Sequence, residues 1–169
     1  MKKTVLTFGL ISGVVTTAMM LATLPFVDAI GLDKGEFVGY TALVLSFLLV
    51  FFGIRSYRQH TGAGRITFGR AFSVGILITL ITCAFYVATW EVIYFKLMPG
   101  FGEKYAGYMV AQAKASGGSQ EAIDARVRAA QSFKEMYDKP LINAAMTFAE
   151  PFPVGLVMTL ISAAVLRRR

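Results

Sequence analysis

Between Arg70 and Glu91 lie 20 uncharged, mostly apolar residues, AFSVGILITLITCAFYVATW, fenced by a cation at one end and a carboxylate at the other. At about 1.5 Å of rise per residue, a helix of this length matches the hydrocarbon thickness of a bilayer, about 30 Å. A backbone crossing that layer must satisfy its amides internally, so the stretch predicts a membrane-spanning helix. The rest of the chain can be placed relative to it. Only 16% of the 169 residues are charged, against about 25% in a soluble domain, and that deficit extends the membrane reading to the whole chain. A net charge of +7 would otherwise point to nucleic acid. The excess cation falls at one membrane face, however, so the charge reads as topology and no nucleic-acid partner is expected.

Three further apolar runs complete a count of four spans, about 4–27, 37–54, 71–92 and 141–166. Met1-Lys2-Lys3 followed by the uncharged Thr4–Val27 could be a cleaved signal peptide, with Val27-Asp28-Ala29 as its cleavage site. The run exceeds the usual apolar core of about 7–15 residues, and the retained-helix reading is favoured. Gly9-x-x-x-Gly13 permits close helix approach, and Pro25 should end or kink the span. Residues 28–36 (DAIGLDKGE) read as a turn-rich loop. Arg55-Ser56-Tyr57-Arg58 closes the second span as a basic and aromatic anchor. Gly62-Ala63-Gly64 has no preceding strand and is no phosphate loop. Pro140 opens the fourth span, which Glu150-Pro151-Phe152-Pro153 interrupts.

Residues 101–139 make the one substantial polar segment. They divide at Ser116-Gly117-Gly118-Ser119, whose last serine can cap a helix with Glu121 in its first turn. Ile123, Val127, Ala130 and Tyr137 then share one helical face, and Phe101, Tyr105, Tyr108 and Met109 make the first half amphipathic. The expectation is an extracytoplasmic helical hairpin, lying on the membrane or capping the bundle. The fold class is all-α, one membrane domain over residues 1–169.

Orientation follows from the cations. Lys2, Lys3, Arg55, Arg58, Arg65, Arg70 and Arg167–Arg169 give nine at one face, with no acid; the 28–36 and 96–139 loops hold eight cations and eight acids. The purely cationic face should be cytoplasmic, with both ends of the chain on that side and Arg55, Arg58 and Arg70 as anchors. An inner membrane is the expected location.

Two acids lie in apolar surroundings. Glu91 is 21 steps from Arg70, about 31 Å along a helix, which puts it near the outer interface beside Trp90, Tyr94 and Phe95. Glu150 is 17 steps from Arg167, about 25 Å, somewhat inside the apolar layer. A charged carboxylate there costs at least about 2.5 kcal/mol unless protonated, paired or wet. The functional reading is a proton, cation or amine site at an outward-facing polar cavity, formed by Glu150 with or without Glu91. The bland reading is an acid paired with a lysine or snorkelling beside a proline kink. Small residues at every fourth position (Ala71, Gly75, Thr79 and Cys83; Gly155, Thr159 and Ala163) mark packing ridges, within the monomer or along a homodimer seam. One cysteine and one histidine, His60, leave no multi-residue metal set; no hydrolase elbow or nucleotide loop appears. No cofactor, metal or catalytic set is expected.

The stretches KKTVLTFGLISG, GYTALVLSFLLVFFGIRSYR, ITFGRAFSVG, YVATWE, KYAGYMV, FKEMYDKP and TFAEPFPVGLVMTLISAAVLRRR cover nearly the whole chain. In them the chain resembles a bacterial family catalogued as domain of unknown function 4199. The resemblance implies a small integral membrane protein with several helices, and it assigns no substrate, reaction or site. The resulting expectation is a small inner-membrane protein with a structural or accessory envelope role, in contact with the bilayer and with a partner membrane protein or a second copy. The alternative is a transporter or sensor using Glu150; an enzyme is not expected.

Overall fold

The computed structural model describes Met1 to Arg168 apart from Gly62, with the backbone alone described for Asp33 and Glu36. Gly62 of the glycine fragment and Arg169 of the terminal cation run therefore lie outside the described residues. Most of the described chain is helical: α1 Lys2–Thr23, α2 Val27–Ile30, α3 Leu32–His60, α4 Phe68–Val92, α5 Phe101–Ala115, α6 Gln120–Tyr137, α7 Pro140–Ala149 and α8 Pro151–Leu166. Four stretches are long and apolar enough to cross a membrane: Lys2–Ile30, Phe37–His60, Phe68–Leu97 and Pro140–Leu166.

Prolines and glycines set the breaks. Pro25 lacks an amide hydrogen and sits in a tight turn, Leu24–Phe26, that ends α1. Residues 28–36, expected as a turn-rich loop, are helical except at Gly31, whose φ of +74° supplies the one left-handed step between α2 and α3. A single glycine suffices for the turn.

The chain forms two compact units, Met1–Thr89 with Phe148–Arg169, and Trp90–Thr147. The first is an up-and-down bundle. Ser12 on α1 donates to the Ser46 carbonyl on α3 at 2.9 Å, while Gly9 and Gly13 press on Ile81 and Phe85 of α4. Thus α1 runs parallel to α4 and antiparallel to α3. Gly75 on α4 meets Thr159 of α8 and Ile54 of α3, and Gly155 on α8 meets Thr79 and Phe47. The α8 helix therefore runs with α3.

Lipid offers no hydrophobic drive for joining helices, so packing here rests on close backbone approach and interhelical hydrogen bonds. Thr79 and Thr159 share a hydrogen bond at 3.0 Å, and the Thr79 hydroxyl lies 3.3 Å from the Gly155 carbonyl. Thr17 and Thr89 pair at 2.8 Å. Phe47, Val50, Ile54, Val74 and Ile78 fill the interior and are fully buried. The expected ridges of α4 and α8 face each other: Ala71, Gly75, Thr79 and Cys83 are all buried, as are Gly155, Thr159 and Ala163. Leu6, Leu10 and Val14 on α1, and Val157, Ile161 and Val165 on α8, are instead exposed apolar surface, as a lipid-facing side requires.

At one end of this unit, Ile66 and Arg168 exchange backbone hydrogen bonds at 3.0 and 2.9 Å. They tie the α3–α4 loop to the segment that follows α8. Arg58 reinforces the tie by donating from Nη1 to the Leu166 carbonyl at 3.2 Å.

In the second unit, α4 passes into a wide π turn at Ile93–Leu97, where the Met98 amide donates to the Ile93 carbonyl at 2.7 Å. The α5–α6 hairpin follows. Gly117 turns it at φ +66°, and the Ser119 hydroxyl caps α6 by accepting from the Ala122 amide at 3.3 Å. Ile123, Val127, Ala130 and Tyr137 lie on the inward face as their spacing predicts, joined by Phe133 and Lys134.

Candidate functional site

Pro151 interrupts the fourth candidate span, and Glu150 is the residue at the break between α7 and α8. Proline at the first position of α8 costs nothing there, because that amide would have no helical partner. The break leaves Glu150 exposed on the first unit, where Tyr86 on α4 donates its phenol to Oε2 at 2.9 Å. A hydrogen bond to a carboxylate is stronger than one between neutral groups, and more so where water is scarce. Glu150 is thus held by a tyrosine from the neighbouring helix, a partner 64 positions away that no spacing rule could supply.

Glu91 belongs to the second unit, in the last turn of α4 just before the π turn. It is half-buried, and its Oε1 is enclosed without a hydrogen-bond partner. Around this turn the unit gathers its aromatic side chains. Trp90 meets Phe101 edge-on at 5.3 Å, Tyr94 meets Tyr137 at 5.2 Å, and Phe133 stacks on Tyr137 at 5.2 Å. Such offset and edge contacts are worth about 0.5–1.5 kcal/mol each beyond their buried area.

Tyr137 is the hub. Its hydroxyl accepts from Trp90 Nε1 at 2.9 Å and shares a hydrogen bond with Thr147 at 3.1 Å. Its carbonyl accepts from Asn143 Nδ2 at 3.0 Å, and Asn143 Oδ1 in turn accepts from Thr147 at 3.1 Å. Asn143 is wholly buried, and these bonds satisfy an amide that burial would otherwise penalise.

One turn further, Tyr94 donates to Asp138 Oδ1 at 2.6 Å and Lys134 donates to Oδ2 at 2.8 Å, with Glu103 4.0 Å from the same ammonium. These groups line a cleft of about 240 Å³ with Phe95, Pro99 and Gly102. Gly102 lets the wall come close, since a Cβ there would meet the Tyr94 hydroxyl and that ring would have to shift. Lys134 and then Tyr94 hold the Asp138 carboxyl below its ordinary range, and Asp138 holds the Lys134 ammonium above its own. Proton transfer near neutrality asks for the opposite shifts. The cleft is built to hold fixed charge beside an aromatic wall.

The three anchor arginines sit together at the tied end of the first unit. Arg55 and Arg58 occupy the last turns of α3, and Arg70 the first turn of α4. Arg55 and Arg70 are exposed, whereas Arg58 is half-buried with its Nε enclosed and unpartnered. Among the described residues His60 makes a local contact, Nδ1 to the Ser56 carbonyl at 3.0 Å.

Sequence reasoning did not single out Tyr86, Tyr94, Asn143 or Asp138 as functional. The one local signal was the four-residue spacing of Lys134 and Asp138; the others depend on partners brought from distant segments. The model of the family described as Protein of unknown function (DUF4199) matches residues 7–168. No curated protein and no solved structure matches the chain.

Proposed function

Because the chain belongs to the family described as Protein of unknown function (DUF4199), we propose a role for it from its geometry: a small inner-membrane protein with a structural or accessory role in the envelope. In this reading the four-span bundle is a scaffold and the α5–α6 hairpin is the working surface, engaging a partner membrane protein. The carrying observation is that the bundle's own side chains occupy its interior, with Gly75 and Gly155 pressed against Thr159 and Thr79. Both small-residue ridges are thereby engaged within one chain, so a homodimer would use a different face. The reading is non-catalytic. A second reading, transport or sensing at Glu150, is supported by the exposed carboxylate that Tyr86 holds at the α7–α8 break.

Complementation of a strain lacking the gene separates the two. For an accessory protein, Glu150→Gln restores the wild-type phenotype, while Gln112→Glu with Arg126→Glu on the exposed hairpin surface does not. For a transporter or sensor the pattern reverses, and ligand binding by the purified protein depends on pH.

We further propose that both ends of the chain are cytoplasmic and the hairpin lies on the opposite side. The cation-only end of the bundle supports this orientation through the positive-inside rule. In a Cys83→Ala background, Lys114→Cys is expected to react with a membrane-impermeant maleimide on intact cells. Arg167→Cys is expected to react only after permeabilisation. Labelling of Arg167→Cys on intact cells would invert the topology.

A further inference from the structure

The first unit carries its cations in an arrangement that a bundle would not adopt for its own stability. The α1 and α4 helices begin at the end where α3 and α8 finish, so Arg55, Arg58, Arg65, Arg70, Arg167 and Arg168 share one end. The bridge between Ile66 and Arg168 sets Arg65 and Arg167 beside the paired residues, and the Arg58–Leu166 bond draws the end of α3 to the same place. Like charges repel, and no acid lies near these in sequence: residues 1–27, 37–90 and 151–169 contain none, and Asp28, Asp33, Glu36 and Glu150 fall where α1 finishes and where α3 and α8 begin, away from this end. Among the described residues, none of the six arginines is in an ion pair with a carboxylate. Five of them are exposed, with Arg58 half-buried.

The flanks say what kind of anion fits. Phe52 on α3, Phe68 on α4 and Val165 on α8 are exposed apolar residues within a turn or so of these arginines. A ligand with a phosphate at the arginines and hydrocarbon along those side chains satisfies both surfaces. Arginine binds phosphate oxygens in a two-pronged geometry that lysine lacks.

We propose that the arginine-bearing end of the first unit is a binding surface for anionic phospholipid headgroups. The lipid supplies the counter-charge that this end lacks among the described residues, and its acyl chains lie along the adjoining apolar faces. Recognition depends on the chain's geometry and holds for whichever leaflet this end occupies.

Native mass spectrometry of the full-length protein in detergent tests this, with phosphatidylglycerol and phosphatidylcholine of identical acyl chains as probes. Phosphatidylglycerol adducts are expected at about tenfold lower lipid concentration than phosphatidylcholine adducts, since each cation near an anionic surface adds to attraction. The triple variant Arg65→Gln, Arg167→Gln, Arg168→Gln should lose most of that preference. The matched triple Lys114→Gln, Arg126→Gln, Arg128→Gln on the hairpin should keep it. If the first triple variant does not fold, salt replaces it: raising ionic strength from about 0.05 M to 0.5 M should erode the wild-type preference, because screening shortens to a few ångströms. Equal binding of the two lipids, or a preference that survives both the triple variant and salt, overturns the proposal. So does full competition by inorganic phosphate, which would assign a free anion, or by a single-stranded oligonucleotide, which would assign nucleic acid.

Discussion

Gly155→Leu is expected to abolish the native bundle in most of the expressed protein. A Cβ at this position falls 2.7 Å from the Phe47 ring and closer still to the Thr79 methyl, and both neighbours are fully buried. Neither can turn aside into solvent. Overpacking usually costs about 1–3 kcal/mol and more where backbones are in near contact, so a loss of about 3 kcal/mol or more is expected. The midpoint of SDS-induced unfolding of the purified protein measures it. Gly39→Leu is the control, since nothing lies within 4 Å of a Cβ there; it should leave the midpoint unchanged or raise it slightly through better helix propensity. Thr79→Ser, which removes the clashing methyl and keeps the hydroxyl, should recover part of the stability lost in the milder Gly155→Ala. If Gly155→Leu unfolds like wild type, the α4–α8 contact is not the seam described.

Tyr137→Ala should release the hairpin while sparing the first unit. The change removes ring contacts to Tyr94 and Phe133, strands Trp90 Nε1 and leaves the Thr147 hydroxyl with Asn143 as its remaining partner. Truncating a buried aromatic costs about 3–5 kcal/mol; Tyr137 is half-buried, which places the expected loss at about 2–3 kcal/mol. Hydrogen exchange reads this directly. Amides of α5 and α6 should exchange roughly 30- to 100-fold faster, at about tenfold per 1.4 kcal/mol, while those of α1 and α3 stay as they were. Tyr137→Phe keeps the ring and loses the hydroxyl, so its effect should be nearer 1 kcal/mol. Uniform acceleration over the whole chain would show instead that the two units open as one.

The sequence was most legible where one local rule decides. The length of an uncharged run located the spans, Pro25 and Pro151 marked real interruptions, and Ser119 capped the helix it precedes. The four-residue spacing of Gly75, Thr79, Gly155 and Thr159 identified the surfaces that meet. The misread loop at 28–36 shows the limit of turn chemistry: Gly31 takes the left-handed conformation, and Gly35 sits within α3. Composition marks both glycines equally, and only the surrounding helix distinguishes them. The candidate site was less legible for a different reason. Glu91 and Glu150 are conspicuous by residue type, but Tyr86, Tyr94 and Tyr137 look like any aromatic near a membrane interface. Their roles come from contacts across 64, 44 and 47 positions respectively.

The seam between α4 and α8 also has a history in time. Ribosomes add about 5–20 residues per second, so α4 is complete several seconds before Gly155 and Thr159 exist to meet it. Throughout that interval the notch at Gly75 and the hydroxyl of Thr79 are open to lipid or to a membrane chaperone. The hairpin and α7 are made in the meantime, between α4 and its partner. Biogenesis of this protein is thus a waiting problem, and a variant that synthesises α8 late or mis-inserts it leaves a half-built bundle with its most adhesive surface uncovered.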